Sequence, residues 1–242
     1  MIKILSLLLS VALSQGPSLP FPGPGAAAGF TGPTFVAYTF VAETNSSNIA
    51  SITSPAITLS SGDLVFVFCR SGRTASDPLA SSSPANTFTE LGGQNTTGLG
   101  EEKAAYAFGV ASGSTTFTCT PNTSSGFQSM IVLQYRPGSL TAKDVDTGTS
   151  DADSTSTTSN TFSTANANEL ILFCATQAGL VTFTAGNIGG VGSTLRGFSG
   201  ASNSAVDAAC EERVVSSVQT NITAAMSSSV SHVWAGVAVA FK

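Results

Sequence analysis

The sequence predicts an all-β protein: a two-sheet antiparallel β-sandwich, jelly-roll-like, with an internal pseudo-repeat and an extended N-terminal arm. Three observations lead there. Roughly a quarter of the chain is Ser or Thr, and charged residues are 10% of its 242 positions, where an ordinary soluble domain carries about 25%. Glu, Lys and Arg, good helix formers, are therefore scarce, while small hydroxyl and β-branched residues suit the exposed faces of sheets. Short runs rich in Val, Ile, Phe and Thr alternate with Gly, Ser, Asn and Pro clusters, and no dozen-residue stretch keeps a 3.6-residue period. Finally, the two halves of the chain read alike.

The N-terminal 33 residues stand apart. Lys3 precedes an apolar run from Ile4 to Leu13, and a Pro/Gly stretch follows from Gly16 to Gly25. Alternating Pro and Gly favours an extended, polyproline-like path. The segment reads two ways. It is an assembly arm that buries Ile4, Leu7, Leu8, Leu9, Leu13, Leu19 and Phe21 against a neighbouring subunit. Alternatively, residues 1–14 are a secretory signal peptide and the rest is a linker. The apolar run is too short to span a bilayer, which needs about 20 apolar residues.

From Thr34 the reading is one sandwich made of two related halves, about 34–138 and 139–242. The first half offers strands at Thr34–Val41, Ala56–Leu59, Leu64–Cys69, Thr87–Glu90, Ala104–Val110, Ser114–Thr120 and Ser129–Tyr135. The second offers Ala142–Asp146, Thr161–Ser163, Glu169–Ala175, Val181–Thr184, Cys210–Val215, Gln219–Thr223 and His232–Phe241. An acidic residue leads an apolar run at Asp63 and again at Glu169, and the interval between them equals that from Tyr135 to Phe241. Leu64–Cys69 and Glu169–Cys174 are apolar almost throughout, which places them mid-sheet. Residues 144–160 read as a connection between strands.

Chemistry is thinly represented. Cys69, Cys119, Cys174 and Cys210 form an even set with three connectivities and no zinc-type spacing, so they are disulfide candidates or buried thiols. His232 is the only imidazole and has no nucleophile motif around it, so the reading is not an enzyme. Asp144, Asp146, Asp151 and Asp153 offer a weak calcium set, and a solvated acidic loop is the better reading. Glu101-Glu102-Lys103 and Glu211-Glu212-Arg213 read as surface charges beside strands. A net charge of -5 with no basic patch excludes nucleic-acid binding. No cofactor is expected. Glycan binding would need exposed aromatics, with Trp234 and Tyr106 as candidates, and only one Trp and three Tyr occur.

The short apolar start Met1–Leu13, the arm Leu19-Pro20-Phe21-Pro22-Gly23-Pro24-Gly25 and the Ser/Thr/Gly-rich sandwich together give the whole chain a likeness. It resembles accessory virion proteins of tailed bacteriophages: capsid decoration, head-fibre or tail-associated β-sandwich proteins. The resemblance implies a non-enzymatic structural protein on the virion surface. Such a protein forms homo-oligomers and attaches through its arm to a capsid or tail subunit. The competing reading is a secreted bacterial surface β-sandwich, an adhesin or glycan-binding module, with its signal peptide removed.

Overall fold

A computed structural model describes residues 29–42, 49–72, 78–92, 94–96, 100–124, 126–179, 181–198 and 206–242. The arm residues Ile4, Leu7, Leu8, Leu9, Leu13, Leu19 and Phe21 lie outside them. The fold is all-β and antiparallel, with no helix among the described residues. The first half contains β1 (Thr34–Ala42), β2 (Ile52–Thr53), β3 (Ile57–Leu59), β4 (Leu64–Arg70), β5 (Leu79–Ser83), β6 (Thr89–Glu90), β7 (Gln94–Thr96), β8 (Gly100–Ala107), β9 (Gly113–Thr120) and β10 (Ser129–Arg136). The second contains β11 (Lys143–Thr158), β12 (Glu169–Ala178), β13 (Phe183–Ile188), β14 (Val191–Gly192), β15 (Thr194–Phe198), β16 (Val206–Val215) and β17 (Ala224–Phe241).

Three sheets form. One runs β1-β10-β4-β8-β6 with β7 also on β8, a second runs β14-β13-β17-β12-β16-β15 with β11 on β17, and a small third runs β2-β9-β3 with β5 on β9. The internal repeat is kept in the register of the central ladders, while β11 pairs with β17 two residues out of the shifted β1–β10 register. Shifting residue numbers by 106 turns the pairs Leu64↔Tyr135 and Val65↔Ala107 into Leu170↔Phe241 and Ile171↔Arg213, all of them observed. The turn into each central strand repeats too: Gly62 and Asn168 occupy the left-handed region at φ 89° and 62°. Gly and Asn are the residue types that tolerate it.

Side chains alternate across each strand, and this sorts the core into three layers. Leu64, Phe66 and Phe68 of β4 meet Leu170, Leu172 and Cys174 of β12 in one apolar cluster, joined by Ile131, Leu133, Val237, Val239 and Phe241. This seam binds the two halves face to face. The intervening positions Val65, Val67 and Cys69 pack outward on Phe117 and Cys119 of β9. Ile171, Phe173 and Ala175 do the same on Phe183, Ile188 and Met226. β17 serves two layers: its C-terminal part pairs with β12 and its N-terminal part with β13.

Three expectations change. Thr161–Ser163 and Gln219–Thr223, read as strands, pair only in the isolated bridge Phe162↔Ile222. The stretch read as a connection, 144–160, is largely the 16-residue strand β11, whose Ser/Thr/Asp composition hides a ladder on β17. The last strand begins at Ala224, not His232. Its Ser-rich start lacks β-forming side chains and is held by partners on both edges.

All four cysteines are bridged, as Cys69–Cys119 and Cys174–Cys210. The two apolar runs each end in Cys, but the shift of 106 places Cys69 opposite Ala175, one residue away from Cys174. One residue reverses the face. Cys69 therefore reaches across to the small sheet, while Cys174 faces the seam and bonds its direct neighbour on β16. The bridges close sequence separations of 50 and 36 residues. Replacing Cys69 and Cys119 together by Ala should lower unfolding free energy by about 2–4 kcal/mol. Denaturant titration checks this, and an unchanged midpoint would show that the bridge constrains nothing. Leu172→Ala at the seam should cost about 2–5 kcal/mol in the same assay.

Candidate functional site

The unusual chemistry of this molecule lies in the seam, where apolar layers enclose polar side chains. Tyr135 on β10 donates its hydroxyl to Glu212 Oε2 on β16 at 2.6 Å. Arg196 on β15 donates to Glu212 Oε1 at 2.6 Å and lies 4.8 Å above the Phe35 ring. Phe35 in turn packs edge-on against Tyr135 at 5.5 Å. These four side chains, two from each half, close a ring of contacts. Burial and the neighbouring Glu212 charge hold the Tyr135 hydroxyl well above its ordinary range, so it stays a donor.

The shift of 106 relates Tyr135 to Phe241 and Glu212 to Tyr106. Where the first pair makes a hydrogen bond, the rings of Phe241 and Tyr106 meet edge to face at 5.1 Å. A second polar contact sits further along. Thr176 Oγ1 donates to Glu102 Oε1 at 3.1 Å, and Arg70 Nε lies 3.7 Å from the same oxygen. Arg70 and Thr176 are themselves counterparts under the shift, and Glu102 receives both. Glu102 is fully buried. Desolvation outweighs the guanidinium nearby and pushes its carboxyl up to about 8.

Glu102, Glu211 and Glu212 were expected at the surface, yet all three are buried. Adjacent glutamates on a strand point to opposite faces. On β16, Glu212 faces the seam, while Glu211 accepts from Ser193 Oγ at 2.5 Å and from Gly186 N at 2.9 Å. Burial raises Glu211 to about 7. The signal that could have located them is alternation: Glu102 and Glu211 each sit beside Ala-rich strand positions.

The remaining candidates fall elsewhere. Asp144 Oδ2 accepts from Ala165 N at 2.6 Å, and its Oδ1 accepts from Asn166 Nδ2 at 3.1 Å. Asp146 accepts from Gly92 N at 2.8 Å and pairs with Lys143. Both carboxylates thus tie strand β11 to neighbouring segments; the side chains of Asp151 and Asp153 lie outside the described residues. Among the described residues no group of three or more His, Cys, Asp or Glu side chains could hold a metal ion. Glu169 sits beside Asp144; burial first, then that negative neighbour, raises it to about 7. His232 is half-buried at the β11–β17 ladder, opposite Ser154. Trp234 is a core residue at 2% exposure, and Tyr106 packs on Phe108 and Phe241, so neither forms a stacking platform for sugars. The exposed aromatic pair is a different one: Tyr38 and Phe198, stacked at 5.9 Å where β1 meets β15.

The architecture is that of an internally repeated, disulfide-bonded antiparallel sandwich in which Glu102 and Glu212 bond across the seam between its halves. Comparison with family models, curated proteins and solved structures found no match for the chain. Two disulfides are compatible with an extracellular or secreted protein. Among the described residues no helix is long and apolar enough to cross a membrane.

The raised carboxyls carry a pH signature. A folded-state pKa above the unfolded value of 4.5 means that the native state holds the proton more tightly. The stabilisation is complete below about pH 4.5 and is lost as pH rises through 7 to 8. Unfolding free energy should therefore be about 2 kcal/mol or more lower at pH 8.5 than at pH 5. Glu102→Gln should keep the Thr176 contact, remove part of that slope and stabilise the protein at pH 8.5. Thermal melts across this range check both; a flat wild-type profile, or a Gln variant less stable at pH 8.5, would refute the assignment.

Proposed function

We propose that this chain is a non-enzymatic structural protein working outside the reducing cytosol, as a coat or surface-attachment component. The observation that carries the reading is the pair of fully buried disulfides, because cytosolic thiols are kept reduced. The acids with raised pKa values support it as well. Such groups often mark active sites, but Glu102 is wholly covered and spends its hydrogen bond on the opposite half of the same fold.

The more specific form of the proposal is a virion protein, a decoration, fibre or tail-associated component that attaches to a capsid or tail subunit through residues 1–33. The chain entering β1 is pinned at the turn joining the halves: Thr31 N donates to Ser139 Oγ at 3.1 Å and Ser139 N to Thr31 O at 2.9 Å. The entry to β1 is thus held in place on the body of the sandwich, as attachment through the preceding segment requires. The second form, a secreted surface adhesin, rests on the leader-like pattern of Lys3 and Ile4–Leu13.

Intact-mass measurement on protein from its native source separates the two. Retention of Met1 or Ile2 is expected for the arm, and loss of about 14 residues would refute it. Deleting residues 1–25 should leave both disulfides and the thermal midpoint unchanged while abolishing incorporation into the particle. Incorporation at the wild-type level would refute attachment through the arm.

A further inference from the structure

Strand order brings three ionisable side chains together at one end of the second large sheet. β17 lies between β12 and β11, and its last residue Phe241 pairs with Leu170 on one side and Lys143 on the other. Lys242, one step further, is clamped there. Its N donates to Ala142 O at 2.8 Å, and Thr141 N and Ala142 N donate to its O at 2.7 and 3.0 Å. The Lys242 Nζ lies 3.4 Å from Asp144 Oδ1. Asp144 is held in turn by Ala165 N at Oδ2 and by Asn166 Nδ2 at Oδ1. Glu169, the first residue of β12, stands beside Asp144. It is fully buried, yet no well-formed hydrogen bond reaches either of its oxygens. Its counterpart under the shift of 106 is Asp63, which accepts from Gln134 Nε2 at 2.5 Å and from Ser60 N at 2.8 Å. A buried acid left short of partners, where the same position in the other half is satisfied, calls for a role of its own.

We propose that Lys242 and Asp144 join in an intramolecular amide bond, with Glu169 relaying the protons. A bond forms between Lys242 Nζ and Asp144 Cγ, and the bond from Cγ to Oδ1 breaks. An ammonium and a carboxylate become an amide and a water. Two of the three protons on nitrogen leave with Oδ1, passed by way of the Glu169 carboxyl, which ends as it began. No oxidant, reductant or co-reactant is needed. The chain supplies what the step requires. Such a reaction needs its partners held about 3–3.5 Å apart, and the clamped backbone of Lys242 sets that approach. Ala165 N, 2.6 Å from Oδ2, stabilises the charge that builds on the oxygen that stays. Burial and the Asp144 charge raise Glu169 to about 7, where it both gives and takes a proton near neutral pH. The Asp144 side chain is 7% exposed and that of Lys242 42%, so the acid is shielded while the released water has an exit. The bond ties the end of β17 to the start of β11 across a separation of 98 residues. That fastening suits either form of the proposed function and depends on neither.

Peptide mass mapping of the full chain tests it. After reduction of both disulfides, cleavage following Lys and Arg should release residues 144–196 and 214–242 as one joined species, lighter than their summed masses by one water. Lys242→Arg keeps the charge at a partly exposed position and should release the two peptides separately. Glu169→Gln should slow the joining about 100-fold or more, while hydrogen exchange shows β4 and β12 amides still protected. Separate wild-type peptides at their full masses would overturn the proposal and leave Lys242 and Asp144 as an ordinary ion pair. So would a cross-link mapped to Lys143 and Asp146, the neighbouring ion pair. Joining at the wild-type rate in Glu169→Gln would overturn the relay through that residue. If Glu169→Gln loses the protection of β4 and β12, the wild-type and Lys242→Arg maps still decide whether the bond exists.

Discussion

Two strands, β4 and β12, are buried on both faces, and the architecture follows from that constraint. Every residue of Leu64–Arg70 is covered, as is every residue of Glu169–Gln177. A strand of this kind needs apolar cover above and below. One small sandwich can cover a central strand on only one of its two sides. Packing the halves through their large sheets supplies the missing layer to both strands at once, and the seam core is the result.

A seam between two sheets of like register faces a problem of its own. Identical apolar surfaces pack in more than one offset with similar energy, since burial is non-directional. Polar contacts made once remove that degeneracy, a role for which buried polar residues have precedent in fixing register. The hydrogen bond from Tyr135 to Glu212 has an aromatic contact as its symmetry mate, and Glu102 takes Arg70 from one half and Thr176 from the other. The halves are thus alike in register and unlike in their seam chemistry. Gly197 shows how closely they fit: a Cβ there would lie 2.9 Å from Ile131 Cγ2 and 3.0 Å from Leu133 Cδ2. Gly is the residue type that allows β15 to approach β10 so closely.

Those parts of the fold that rest on strong local signals were legible in the sequence. Leu64–Cys69 and Glu169–Ala175 announce themselves as apolar runs, and the acid before each marks the repeat. What escaped was set by partners rather than by local composition. β11 and the first half of β17 are polar enough to pass for loops, and they are strands because they pair along most of their lengths. The seam acids escaped for a related reason. Glu-Glu beside a basic residue looks like a solvated surface in one dimension, and only the strand's place between two layers buries both members of Glu211-Glu212. Cysteine pairing depended on parity: a difference of one residue between Cys69 and Cys174 separates a bridge to another sheet from a bridge within one.

Scarce charge therefore means something different from what composition suggests. Of 14 acidic residues, Asp63, Glu102, Glu169, Asp207, Glu211 and Glu212 are buried. Several hold backbone or side-chain donors: Asp63 accepts from Gln134 Nε2 at 2.5 Å and Ser60 N at 2.8 Å, and Asp207 accepts from Val181 N at 2.6 Å. In an ordinary domain, charges sit outside and confer solubility while the interior is apolar. This chain uses much of its small complement of carboxylates as internal fasteners and leaves the exterior to Ser and Thr. Such a surface offers little for a charged partner to recognise. The backbone edges, not side-chain charge, are then the most specific features of that exterior.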